Sequence, residues 1–249
     1  MTLLPNERID EVNDRLSLIQ RTDGLTFGTD ALLLAGYISG RFKTGVELGG
    51  GSGIISMLLL ARGKIDAIEC CEVQDYYAEL IRRNAEYNSL EDRLTARLTD
   101  VRDLPSTEDA EIVFTNPPYM KADGGKNNET DEKAIARHEI YGTIHDFCEA
   151  AKRRLKFGGA FYAVYRPDRL TDLIVAMRGS GLEPKRITFV HASIGKEAAM
   201  VLIEAKRGGR SGSILTPPFI IYKTGEHREY TEDMNYVMEN GSFPEYFKR

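Results

Sequence analysis

The chain has 249 residues, 42% of them apolar and 29% charged, with a net charge of −5 at neutral pH. This is an ordinary balance for a globular protein near the upper size that one core serves. It excludes a protein that grips nucleic acid over its whole surface, which would be basic. Contact with RNA or DNA would need local patches, and the candidates are "KRRLK" (152–156), Lys185–Arg186 and "KRGGR" (206–210), each of which also reads as a solvated helix end or loop. No run approaches the roughly 18 apolar residues of a membrane span. The opening "MTLLPNERIDEV" turns polar too early for a secretory signal. Cys70, Cys71 and Cys148 are too few and wrongly spaced for a disulfide framework or a zinc site. The expected setting is therefore the cytoplasm, without a metal or a membrane, and with the thiols buried.

Strand-like and helix-like segments alternate from about residue 44 to 205. "TGVEL" (44–48) predicts a strand and "GIISMLLLAR" (53–62) a buried helix; "IDAIECCEV" (65–73) is a strand and "QDYYAELIRRNAEYN" (74–88) carries apolar residues at helical spacing. "LTARLTD" (94–100) and "AEIVFT" (110–115) are further strands. "TIHDFCEAAKRRLK" (143–156) opens with Thr143 and Asp146 at capping-box spacing, and Gly158–Gly159 is expected to end it. Strands at 160–165, 183–191 and 198–206 follow, with a helix over 168–180. Such alternation means a mostly parallel sheet with helices on both faces. The last two strands are joined too closely for a parallel crossover, so one antiparallel strand is expected at the sheet edge, seven strands in all. The long polar stretch 120–142 and the last 43 residues fall outside the pattern; loops that long are usually lids or disordered.

"VELGGGSGI" (46–54) joins the first core strand to the first core helix, where glycines allow a tight turn and close approach to a ligand. The dinucleotide fingerprint G-x-G-x-x-G fails, because Ile54 or Ser56 occupies its last position. The pattern acidic-x-G-x-G-x-G, with Glu47, Gly49, Gly51 and Gly53, fits throughout. It resembles the first motif of class I S-adenosylmethionine-dependent methyltransferases, which implies a Rossmann-like α/β fold and that cofactor. Glu72, at the end of the second core strand and followed by Val73, stands where a carboxylate accepts hydrogen bonds from both ribose hydroxyls, a feature shared by NAD sites. The resemblance makes Asp100, followed by Val101, the contact to the adenine amino group.

"FTNPPYM" (114–120) ends the fourth core strand, which lies across the cleft from the glycine loop in such a sheet. Pro117 and Pro118 hold the backbone extended and remove two amide hydrogens. The remaining groups are acceptors, the Asn116 side-chain oxygen and the Pro117 carbonyl, and two acceptors suit an amino group. Holding both hydrogens of an exocyclic amine orients its lone pair toward a methyl donor. Tyr119 is the platform on which a target base stacks. Asn116-Pro117-Pro118-Tyr119 resembles the signature of amino-group methyltransferases, whose targets are adenine N6, cytosine N4, guanine N2 or a glutamine amide.

"FGTDALLLA" (27–35), "AIARHE" (134–139), "RPDRL" (166–170) and "VLIEAKRGG" (201–209) together resemble the bacterial tRNA adenine N6-methyltransferases that modify position 37 of a valine tRNA. The resemblance spans roughly residues 7–225. It implies that Thr29 and Asp30 lie near the methionine end of the cofactor, and that Lys121, Arg137 and His138 contact the substrate. Read from the residues alone, Thr29 or Asp30 equally caps a helix, and His138 is equally an exposed loop histidine. The expected organisation is an N-terminal extension on the cofactor cleft (1–43), a methyltransferase core (44–206) and a C-terminal appendage of the same domain (207–249). The leading reading is methyl transfer to adenine N6 in tRNA. The alternatives are a guanine N2 RNA methyltransferase, a glutamine amide methyltransferase, a non-catalytic nucleotide- or RNA-binding module, and an NAD-dependent oxidoreductase.

Overall fold

The structure, a computed structural model, describes residues 3–23, 27–117, 142–226 and 228–248. Its centre is the predicted alternation: β3 (Phe42–Leu48), α2 (Ile54–Ala61), β4 (Ile65–Glu72), α3 (Asp75–Tyr87), β5 (Leu94–Leu98) and β6 (Ala110–Thr115), then α4 (Ile144–Arg154), β7 (Leu155–Tyr165), α5 (Leu170–Gly179), β8 (Leu182–His191) and β9 (Ala198–Arg207). Before it come β1 (Glu7–Asn13), β2 (Leu16–Arg21) and α1 (Thr29–Tyr37); after it come β10 (Ile214–Leu215), β11 (Phe219–Ile220) and α6 (Glu232–Asn240). The strand order is β10-β8-β9-β7-β6-β3-β4-β5, with β11 also on β8. From β5 to β7 every neighbouring pair is parallel.

Two apolar layers hold the sheet. Leu33 and Leu34 of α1, Leu58 and Leu59 of α2 and Ile81 of α3 pack with Ile112 and Phe114 on one face. Phe147 and Ala151 of α4 and Leu173 and Met177 of α5 pack with Val46, Val113 and Phe161 on the other. Residues on successive positions of β6 therefore serve opposite layers, as the pleat requires. α4 begins with the expected capping box: the Thr143 hydroxyl accepts from the Asp146 amide at 3.3 Å, and the Asp146 carboxylate accepts from the Thr143 amide at 2.7 Å.

Three features differ from the sequence reading. Among the described residues nine strands build the sheet instead of seven, two of them only two residues long. The antiparallel strand β9 lies between β7 and β8 and not at the margin. The helical crossover of α5 carries β8 past the neighbouring position, and the short return turn lays β9 into that gap. Gly158 and Gly159 do not end α4; helix passes into strand at Leu155, and the glycines sit inside β7. Gly158, at φ +78°, permits the irregularity that places Leu155 and Ala160 opposite Ala110 and Ile112.

The N-terminal hairpin of β1 and β2 forms its own two-stranded sheet and packs on α3. Two asparagines, Asn84 on α3 and Asn88 at its C-cap, take the place of a neighbouring strand for β2. The buried Asn84 accepts from the Ile19 amide at 2.7 Å and donates to the Ile19 carbonyl and to the Ser52 carbonyl of the glycine loop, each at 3.1 Å. One turn on, Asn88 accepts from the Ser17 amide and donates to its carbonyl. Alternate residues of β2 are thus paired, as they would be in a ladder. At the other end, Arg186 stacks 4.0 Å over the Tyr37 ring, pairs with Glu204 at 2.8 Å and donates to the carbonyls of Tyr37 and Phe247. This buried cation joins α1, β8, β9 and the C-terminal turn.

Asn84→Ala should lower stability by about 3 kcal/mol, because it strands buried backbone groups of β2 and of the glycine loop. Urea denaturation of the wild type and variant measures it, and a loss under about 0.5 kcal/mol would show that these bonds are not what fastens the hairpin.

Candidate functional site

The site is set by register. Leu48 lies opposite Thr115 at the carboxyl ends of β3 and β6, and the Thr115 hydroxyl donates to the Leu48 carbonyl at 2.7 Å. The glycine loop and Asn116 therefore leave the sheet side by side. The amides of Gly49 and Gly50 both donate to the Cys71 carbonyl on β4, at 2.9 and 3.1 Å, which bends the loop across the end of the neighbouring strand. Gly50 has no room for a side chain, since a Cβ there would stand 2.1 Å from the Cys70 sulfur. Gly49, Gly51 and Gly53 have φ of +71°, +54° and +80°, the region that glycine alone visits freely.

Two carboxylates hold this loop. Glu72, buried at the end of β4, accepts from the Gly51 amide through one oxygen and from the Gln74 amide through the other, both at 2.9 Å. Each oxygen keeps a further acceptor position, so the pair is held ready for two hydroxyl donors. Glu47, fully buried, accepts from the Ser56 amide at 3.2 Å and from the Ser56 hydroxyl, and the Cys70 thiol donates to it at 3.4 Å. It therefore anchors the first turn of α2 from below the loop. Burial pushes its carboxyl up to about 7, against these hydrogen bonds.

Asp100 caps the 3₁₀ turn Val101–Asp103, accepting from the Arg102 amide at 2.8 Å. The Arg102 guanidinium also donates to both its oxygens, at 2.9 and 2.6 Å, which holds its carboxyl below the usual range. Val101 is buried and Val73 half-buried beside Glu72. Thr29 and Asp30 are the first two residues of α1, so neither is its N-cap; Gly28 holds that position, with no side-chain cap.

The sequence, which placed Asp30 near the methionine end of the cofactor, does not show its contact with Asn116. One of its oxygens accepts from the Ala31 amide at 2.9 Å and the other from the Asn116 side-chain nitrogen at 2.8 Å. A carboxylate facing Asn116 settles which end of the amide is which, because only the nitrogen can donate. The Asn116 oxygen is then buried with no hydrogen-bond partner among the described residues. Pro117 beside it is buried. Pro118, Tyr119, Lys121, Arg137 and His138 lie outside the described residues. Among the described residues no group of three or more His, Cys, Asp or Glu is placed to hold a metal, and no helix is long and apolar enough to cross a membrane.

The three basic clusters stand elsewhere. They occupy the end of α4 and the start of β7, the start of β8, and the end of antiparallel β9 with the residues after it, the end of the sheet opposite Asn116. Most of their charges serve internal contacts. Arg153 donates to the carbonyls of Val101, Arg102 and Leu104; Arg154 pairs with Glu69 and Asp109; Lys185 donates to the carbonyls of Arg210 and Gly212; and Arg207 pairs with Glu108. These four cations serve the fold, while Lys206 and Arg210 of the same clusters are exposed.

Residues 22–170 match the family described as "Methyltransferase small domain". The tRNA1(Val) (adenine(37)-N6)-methyltransferase of Phocaeicola vulgatus is 26% identical over 198 residues, 78% of this chain and 79% of that protein. Its namesake from Aeromonas hydrophila is 28% identical over 184 residues, 73% and 76% of the two chains. Among solved structures, a protein from Agrobacterium tumefaciens described as a predicted O-methyltransferase superposes with a TM-score of 0.70 at 25% identity, covering 86% of this chain and 98% of that one. M. jannaschii TYW2 in complex with AdoMet shares the fold, with a TM-score of 0.57 at 15% identity over 83% and 88% of the chains.

Glu47 makes stability depend on pH. With its carboxyl raised from 4.5 to about 7 in the folded protein, its contribution is complete below about 4.5 and is lost as pH rises through about 7, by roughly 3 kcal/mol. Glu47→Gln should flatten stability between pH 5 and 8 in denaturant titrations. A variant that keeps the wild-type slope would show that the slope arises elsewhere.

Proposed function

The chain belongs to the Methyltransferase small domain family, and from that premise we propose that it transfers a methyl group from S-adenosylmethionine to an exocyclic amino group, adenine N6 of a tRNA. The observation that carries this reading is the Asn116 oxygen, an acceptor buried without a partner among the described residues while its own nitrogen is tied to Asp30. A buried acceptor left unmatched is costly, and an N–H arriving from a substrate relieves it.

The residues present fit the cofactor. The glycine loop offers a close backbone approach, Glu72 two poised acceptors for ribose hydroxyls, and Asp100 with Val101 the adenine end, while Thr29 stands across the cleft at the start of α1. When bound, S-adenosylmethionine supplies a methyl group on a sulfonium, which needs no further activation. The chain supplies orientation. The Asn116 oxygen and the Pro117 carbonyl hold the two hydrogens of the amine and turn its lone pair outward. No side chain is required as a strong base, because the methylated nitrogen is acidic enough to give its proton to water. An amine offers two hydrogens to these two acceptors and a hydroxyl only one, which favours nitrogen over the oxygen named in the Agrobacterium protein's description. The tRNA substrate rests on the names of the P. vulgatus and A. hydrophila relatives.

The test is to incubate the purified protein with S-adenosylmethionine and an unmodified valine tRNA transcript, digest to nucleosides and identify the product by mass spectrometry. N6-methyladenosine is expected. Asn116→Ala should lower kcat by about 10²–10³-fold, the usual effect of removing an oriented polar group from a transition state, with S-adenosylhomocysteine affinity unchanged. A different methylated nucleoside overturns the tRNA adenine reading, and undiminished turnover overturns the role of Asn116.

A further inference from the structure

We propose that Asp30 is a positioning residue that fixes the polarity of the Asn116 amide, so that the site admits an exocyclic amino group and rejects an exocyclic carbonyl oxygen. This rests on the amine-transfer reading above.

An asparagine amide is nearly symmetric in shape and opposite in chemistry at its two ends. Rotated by half a turn it fills almost the same space, but presents two donors where it had presented an acceptor. Backbone geometry, prolines included, does not choose between the two states. A neighbour must choose, and Asp30 is placed to do so. Its carboxylate only accepts, its outer oxygen lies 2.8 Å from the Asn116 nitrogen, and its inner oxygen is fixed by the Ala31 amide at 2.9 Å. The reversed amide would set a carbonyl oxygen against a carboxylate oxygen and forfeit a charge-assisted hydrogen bond. The first turn of α1, where Asp30 sits, also favours a negative charge through the helix dipole.

Gly28 belongs to the same device. Its φ of −114° is open to any residue, so glycine is not needed for the backbone. A Cβ there would stand 2.6 Å from the inner oxygen of Asp30. The glycine leaves room for the carboxylate in the rotamer that reaches Asn116. Gly28 and Asp30 on one side of the cleft and Asn116 on the other thus form one unit whose output is an acceptor of fixed direction. The amino group of adenine matches that acceptor. The keto oxygen of hypoxanthine, which occupies the same place on the ring, does not.

The experiment compares wild type, Asp30→Ala, Asp30→Asn, Asn116→Ala and the Asp30→Ala/Asn116→Ala double variant on the valine tRNA transcript at saturating S-adenosylmethionine. Thermal melts confirm the fold of each, and S-adenosylhomocysteine affinity is measured by calorimetry. Asp30→Ala should lower kcat on the order of 10²-fold, as misorientation of a reacting group does, with cofactor affinity within about threefold (~0.7 kcal/mol). The double variant should be no slower than Asn116→Ala, since Asp30 acts only through Asn116. Asp30→Asn keeps a side chain of the same shape that can pair with Asn116 in either sense. Its signature is lost discrimination: a transcript with inosine at the target position competes at least about tenfold more weakly than the adenosine transcript for the wild type, and about equally for Asp30→Asn. Wild-type kcat in Asp30→Ala, with only weakened cofactor binding, would make Asp30 a cofactor contact and end the proposal. So would a further loss in the double variant, or preserved discrimination in Asp30→Asn. Full activity of Asn116→Ala would instead remove the amine-transfer reading itself.

Discussion

Leu48 and Thr115 face each other at the ends of two adjacent parallel strands, and the chemistry of the protein depends on that register. A parallel ladder shifted by one position would turn every side chain of β6 to the opposite face, exchange Val113 and Phe114 between the two apolar layers, and move Asn116 away from the glycine loop. The Thr115 hydroxyl bonded to the Leu48 carbonyl locks the pairing at its open end, where fraying would otherwise begin. Neither residue touches substrate in the proposed reaction, yet the distance between the two halves of the cleft is theirs to set.

The charges of the molecule are arranged around this cleft in an uneven way. Acidic groups gather at the carboxyl ends of the strands: Glu47, Glu72, Asp100 and Asp30 all hold backbone or side-chain donors there. Cations gather at the opposite end of the strands, and many are spent on carbonyls and carboxylates of the fold itself. A basic residue in a turn beside the sheet does the work of a cap, as Lys64, just before β4, does by donating to the carbonyls of Ala35, Gly36 and Ile38 at the end of α1. Burial brings its ammonium down to about 7. Counting cations along the chain therefore says little about where a polyanion would lie.

The main alternation was legible in the sequence because β6 and most of β7 are buried on both faces, α3 and α4 on one, and α2 almost throughout. The resulting period changes are visible in short windows, and the strand 110–115 and the capping box at Thr143 were readable to the residue. The β1–β2 hairpin was hidden because the partners that pair β2 on its outer side are the side chains of Asn84 and Asn88, far along the chain. α6 was hidden because Glu232–Asn240 is mostly polar and buries only Met234 and Val237. Within the candidate site, Asn116, Glu72 and the glycines could be singled out by residue type at a strand end. Asp30 could not, because its meaning lies in a contact with a residue 86 positions away, and its local pattern suits a helix start equally well.

Asn84 carries a consequence of a thermodynamic kind. One amide group spans the Ile19 backbone of the hairpin and the Ser52 carbonyl of the glycine loop. Opening either segment breaks a bond that the other needs, so their local unfolding equilibria are linked. A ligand that binds only the ordered loop raises the free energy of opening it by RT ln(1 + [L]/Kd), and part of that increment passes to β2. The protection of the Ile19 amide against hydrogen exchange is then a property of the loop as much as of the strand that contains it.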